Sequence, residues 1–155
     1  MSDLRDEIED LYADYAACLD DGELERWPEF FTDDCLYQIV PRENYDRGLP
    51  LALLLCESKG MLQDRVAALR RASVYAPRSL RHIVSNTRVA QADGAVIRVR
   101  ANYVVFQTLL DDVTRVFNAG RYLDALVREA GRLKFRERVC VSDTVVIPGS
   151  LVFPI

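Results

Sequence analysis

The sequence predicts an α+β fold: a curved antiparallel sheet in the second half, closed on its concave side by N-terminal helices, so that the whole makes a cone. Three observations carry this reading. Apolar residues recur at helical spacings in two stretches before residue 72, and from residue 80 the pattern changes to strand-like runs separated by turns. Those runs are long, with Gly120 at an expected bulge, as a strongly bent sheet requires.

In chain order, Leu4, Ile8, Leu11, Tyr15 and Leu19 line one face of a first helix. Ser2 or Asp3 caps its start and Asp21-Gly22 ends it. "ELERWPEFF" reads as a short helical turn whose Trp27, Phe30 and Phe31 pack in the core. "CLYQIV" (35–40) reads as a strand and "PRENYDRGLP" (41–50) as a polar loop between prolines. "LALLLCES" fits strand or helix. "GMLQDRVAALRRA" is a second helix with Met61, Leu62, Val66 and Leu69 on one side, and "SVYAPRS" breaks it. Four strands follow: "LRHIVSNTRVA" up to Asp93-Gly94, "AVIRVRANYVVFQTLL" up to Asp111-Asp112, "VTRVFNAGRYLDALV", and "LKFRERVCV". In the last, Leu133, Phe135, Val139 and Val141 are expected on one face, with Lys134, Arg136 and Arg138 on the other.

The 155 residues suit one domain, 1–155, with enough chain to bury a core without disulfide or metal staples. A net charge of −4 and the lack of a Lys/Arg block argue against a nucleic-acid partner. The acidic first ten residues do not read as a secretory signal, and the longest apolar run, 49–56, is too short to span a bilayer. The expectation is a cytoplasmic protein. Cys18, Cys35, Cys56 and Cys140 lack CxxC spacing and sit among apolar residues, so they are expected reduced and buried.

His82 is the only histidine. A two-His-one-carboxylate iron site and a Rieske cluster each need two histidines, so neither fits within this chain. EF-hand, HExxH, nucleophile-elbow, P-loop and GxGxxG patterns are also missing. Acid–base chemistry stays open, with Tyr37, His82, Asn102, Tyr103, Tyr122 and Asp124 as candidates for the mouth of a cone. Alternation puts His82, Val84 and Asn86 on one face, and the plainer reading of His82 is a hydrogen-bonded residue in or beside the sheet. Arg98, Arg100, Lys134, Arg136 and Arg138 alternate along the strands and would suit an acidic or aromatic partner. The apolar stretch "LVFPI" (151–155) is expected to be mostly buried.

The chain as a whole resembles the small (β) subunit of Rieske non-haem iron aromatic-ring-hydroxylating oxygenases. The likeness rests on "LDDGELERWPEFFTDDCLYQI", on "NYDRGLPLALLLCESKGMLQDRVAALRRASVYAPRSLRHIVSN", on "VRANYVVFQTL" with "TRVFNAGRYLDALV", and on "LKFRERVCVSDTVVIPGSLVFPI". It is nearest the salicylate-hydroxylase and terephthalate-dioxygenase types. The resemblance implies a cystatin-like or ketosteroid-isomerase-like cone and assembly with a large α subunit, as three α and three β chains. It implies that the Rieske 2Fe-2S cluster and mononuclear iron sit in α, that ferredoxin and reductase components serve the complex, and that no catalytic residue lies in this chain. The substrate implied is an aromatic carboxylate, and His82 becomes a structural or subunit-contact residue. Interface candidates are Arg98, Arg100, Arg136, Arg138, Phe153 and Ile155. Two alternatives remain: a stand-alone isomerase or dehydratase of the same cone fold using His82 with an Asp or Tyr, and a small-ligand-binding cone.

Overall fold

A computed structural model describes residues 3–71, 77–144 and 153–155. The element order is α1 (Leu4–Asp20), a 3-10 helix (Leu24–Phe30), β1 (Phe31–Pro41), α2 (Arg42–Asp46), β2 (Leu54–Cys56), α3 (Lys59–Arg71), β3 (Arg78–Gln91), β4 (Ile97–Leu109), β5 (Thr114–Glu129) and β6 (Arg132–Ser142). The strands form one curved sheet in the order β2-β1-β6-β5-β4-β3, open at both edges. Helix α1 packs on its concave side, and the predicted cone is present.

Helix α1 buries Ile8, Tyr12, Tyr15, Cys18 and Leu19. Burying each large apolar side chain contributes roughly 1.5–3 kcal/mol, which outweighs a modest helix propensity. Asp3 is the N-cap residue but makes no side-chain capping bond. Gly22 ends the helix with φ +73°, and the Glu23 amide returns to the Cys18 carbonyl at 2.9 Å, so the left-handed turn satisfies carbonyls that the helix leaves open. Helix α3 buries Leu62, Val66 and Leu69 as the periodicity required, while Met61 is exposed. The stretch read as a polar loop contains the short helix α2, and "LALLLCES" resolves as the edge strand β2.

Three departures from the sequence reading matter for the interior. The sheet is mixed, because β1 runs parallel to β6 while the other pairings are antiparallel. Tight turns dictate direction only within the β3–β6 meander. Strand β1 is laid down before α3, so its direction against β6 is set independently.

Gly120 keeps regular register with Tyr103 and Ser142, so it is not a bulge. It is required by close approach, since a Cβ there would lie 2.0 Å from the Val141 carbonyl oxygen. The extra residue of β5 is Phe117, between the pairs Val105–Asn118 and Phe106–Val116.

Strand β6 carries a second bulge. Ala125 pairs with Glu137 but Leu126 pairs with Phe135, leaving Arg136 as the extra residue. The alternation inverts there, so Arg138 does not share the solvent face with Lys134 and Arg136. It points inward and is only 1% exposed.

Candidate functional site

The concave face gathers most of the candidates. Asp124 on β5 and Arg138 on β6 are directly opposed in register. They form a bidentate ion pair, with Arg138 Nε donating to Asp124 Oδ1 at 2.9 Å and Nη2 to Oδ2 at 2.8 Å. Tyr12 Oη, from α1, also donates to Asp124 Oδ2. The Arg138 guanidinium carbon lies 3.6 Å from the ring centroid of Tyr122, 4.2 Å from Phe135, 4.4 Å from Tyr15 and 4.8 Å from Tyr12. The cation is therefore boxed by aromatic faces, a favourable arrangement for a planar guanidinium. Burial works against its charge, but the facing Asp124 carboxylate overrides this and holds Arg138 above its usual range. Burial, reinforced by the Asp124 charge, pushes the Tyr12 hydroxyl well up.

Tyr37 and Tyr15 are held by the segment 153–155. The Ile155 carbonyl accepts from Tyr37 Oη at 2.9 Å and from Tyr15 Oη at 3.0 Å, and the Ile155 amide donates to Tyr37 Oη at 2.9 Å. Trp27 Nε1 donates to Tyr15 Oη at 3.1 Å. Ile155 and Pro154 are buried and Phe153 half-buried with the Arg78 guanidinium over its ring, while Leu151 and Val152 lie outside the described residues. Tyr103 Oη donates to Asn118 Oδ1 at 2.7 Å and its ring stacks on Tyr122. Burial raises the pKa of Tyr15, Tyr37, Tyr103 and Tyr122, so these phenols stay protonated at neutral pH.

His82 lies apart from this network. Its ring is fully buried, and Nδ1 is 2.6 Å from Oδ1 of Asp20, the last residue of α1. The same carboxylate accepts the His82 amide at 3.0 and 3.1 Å. A carboxylate at a helix C-terminus opposes the helix dipole, and pairing with β3 offsets that cost. Asn86 does not share the face of His82 and Val84: it sits at a bulge of β3 with φ +57° and is exposed. Asn102 is exposed as well.

Sequence reasoning therefore found Tyr37, His82, Tyr103, Tyr122 and Asp124 inside, but missed Tyr12, Asp20 and the inward turn of Arg138. Asp20 gave no signal, because it looks like an ordinary polar residue near a helix end. Arg138 did give one. Glu137 occupies a position where unbroken alternation demands an apolar residue, and the triplet Arg136-Glu137-Arg138 marks the bulge.

Among the predicted interface arginines, Arg100 and Arg136 are exposed, and Arg98 is half exposed and paired with Glu137 at 3.0 Å. The surface also carries large apolar side chains, including Leu51 at 71% and Leu110 at 75% exposure. Cys18, Cys35, Cys56 and Cys140 are all free and buried. Burial raises each thiol, Cys18 and Cys35 to about 11. Among the described residues no three His, Cys, Asp or Glu side chains converge as a metal-binding group. One histidine and scattered cysteines do not fit a Rieske cluster or a histidine-held iron. No helix among the described residues is long and apolar enough to cross a membrane.

Comparison with known proteins adds the following. Residues 1–139 match the SnoaL-like domain family. The chain is 43% identical over 150 residues to the anthranilate 1,2-dioxygenase small subunit of Burkholderia cepacia, covering 96% of this chain and 92% of that protein. It is 33% identical over 143 residues to a β subunit of the terminal oxygenase component of terephthalate 1,2-dioxygenase from Comamonas, covering 92% and 93%. A solved β subunit assigned to an aromatic-ring-hydroxylating dioxygenase of Novosphingobium aromaticivorans superposes with a TM-score of 0.88 at 44% identity, covering 97% and 95%.

Proposed function

The chain belongs to the SnoaL-like family and to the small subunits of aromatic-ring-hydroxylating dioxygenases, and from that premise we propose that it is the non-catalytic β chain of such an oxygenase. In this reading it assembles in the cytoplasm with a large α subunit that holds the Rieske cluster and the mononuclear iron, as three α and three β chains. Ferredoxin and reductase components supply electrons to the complex. The substrate is an aromatic carboxylate such as salicylate or terephthalate. Relatives named for anthranilate and terephthalate support that class.

The observation that carries the non-catalytic reading is the occupied interior. Both oxygens of Asp124 are taken by Arg138 and Tyr12, which leaves no free base there. The Arg138 cation fills the aromatic box, and Ile155 is tied by its backbone to Tyr15 and Tyr37. A cone used as an enzyme keeps a dry pocket with converging reactive groups. Here those groups bond to one another. What this chain supplies to the oxygenase is a rigid body whose outer face carries exposed apolar residues and arginines, as subunit interfaces do.

One observation favours the stand-alone alternative, the close His82–Asp20 pair. It supplies an oriented imidazole, but the Tyr12 hydroxyl on the same helix is already committed to Asp124.

Metal analysis tests the proposal. The chain purified alone is expected to carry no stoichiometric iron, and the complex co-expressed with its large subunit to carry iron in proportion to that subunit. Stoichiometric iron on the isolated chain would overturn it.

A further inference from the structure

The charges of this chain are unevenly divided. Residues 1–34 hold 13 acidic and 2 basic side chains, a net of −11, whereas residues 35–155 hold 11 and 18, a net of +7. On helix α1, Asp6, Asp10 and Asp14 recur at a spacing of four and are exposed, so they form one ridge on the side turned away from the buried face. Like charges at that spacing repel. None of the three is in an ion pair among the described residues, because Arg5 pairs with Glu9 and Arg26 with Glu23. Ala13 and Ala17 are exposed beside the ridge, so a flat surface can approach the helix closely.

The convex face of strands β3 to β5 shows the converse. Arg88 and Arg100 are directly opposed in register and both exposed. Like charges facing across two strands are unfavourable. Neither is paired with a carboxylate among the described residues, and Glu137 is held by Arg98. On the same face Ile83 and Val116 are each 50% exposed, with half-buried Val104 and Phe106 as their cross-strand partners. An apolar centre flanked by arginines is the composition of a protein interface.

The ridge and this face point in opposite directions, because α1 packs on the concave side of the sheet. They cannot neutralise each other within one molecule, but a second copy presents each with its complement. We propose that copies of this chain associate head to tail, the convex β3–β5 face of one docking on the acidic α1 ridge of the next, and that these contacts close into a ring. The arginines then face Asp6, Asp10 and Asp14, and the apolar centre covers Ala13 and Ala17. A contact between two different faces ends its growth only by ring closure. Closure at three copies rests on the stoichiometry proposed above, whereas the contact itself uses this chain alone.

Sedimentation equilibrium of the full-length chain without its large subunit, at about 50 μM, tests this. In about 0.1 M salt the expected mass is that of three chains. In about 1 M salt, where the Debye length falls from about 10 to about 3 Å, the mass should shift toward that of one chain. Arg100→Glu and Asp10→Arg each replace an exposed, unpaired side chain. Each should weaken self-association at least about a hundredfold, leaving monomers. Mixed, the two variants should associate, because the first keeps an intact acidic ridge and the second an intact arginine face. If either variant fails to fold, the salt dependence of the wild type decides alone. A wild-type chain monomeric in 0.1 M salt, an oligomer indifferent to salt, an open-ended polymer, or variants that stay monomeric when mixed would each overturn the proposal. A chain that forms the ring but does not join its large subunit would instead count against the oxygenase role and leave this contact standing.

Discussion

Arg138 shows how much one residue decides. A cation 1% exposed is tolerable only because Asp124 faces it bidentately and four aromatic rings surround it. Arg138→Met removes the cation but leaves the Asp124 carboxylate in a nonpolar interior. The expected loss is about 3–5 kcal/mol, a fall in Tm on the order of 10 °C. Arg138→Met combined with Asp124→Leu removes both charges and should recover most of that loss. Thermal unfolding of the two variants checks this, and a double variant no more stable than the single would contradict it. Tyr37, Tyr103, Tyr122, His82 and Asp124 stood among the candidates read from the strand half of the sequence, and Tyr15 on the apolar face of α1, whereas Tyr12 gave no such signal. The partners of His82 and Asp124 were not legible, because Asp20 and Tyr12 reach them from α1, and periodicity along one element says nothing of what crosses to another.

At the level of elements, α1, α3 and the four-strand meander were legible because each buries one face of an amphipathic pattern. Bulges were not, since a single inserted residue leaves both flanking patterns intact and only shifts their phase. That is why Gly120 drew the bulge that belongs to Phe117, and why β6 was read straight through Arg136. Two contacts between elements give measurable effects. Glu25 of the 3-10 helix accepts from Arg70 of α3 at 2.7 and 2.9 Å, and that hydrogen bond lowers its pKa from 4.5 to about 2. A depressed carboxylate stabilises the fold fully above its unfolded pKa and loses that contribution as pH falls through the folded one. The stability difference between wild type and Glu25→Gln should therefore be constant above about pH 4.5 and shrink toward pH 2. Urea midpoints across that range measure it, and a difference independent of pH would count against the pairing. Deleting residues 153–155 removes the carbonyl that Tyr15 and Tyr37 share. Each buried hydroxyl left without its acceptor costs about 1–3 kcal/mol, and lost burial of Ile155 adds roughly 1.5–3 kcal/mol. An unchanged melting temperature after the deletion would show that the segment does not hold the interior together.

At the scale of the whole molecule, the cone has spent its interior on packing and an internal ion pair, and its outer surface still carries Leu51, Leu110 and the arginines of β4 and β6. In the proposed role the chain acts through what it touches. Its family membership names the partner class, and the proposed role places the iron chemistry in the large subunit. The decisive experiment is co-expression of this chain with its large subunit, followed by native mass measurement and turnover per iron with and without this chain. The expected result is a hetero-oligomer with equal numbers of the two chains, three of each, whose activity depends on the small chain for assembly. A small chain that stays monomeric beside a large subunit fully active without it would contradict that role.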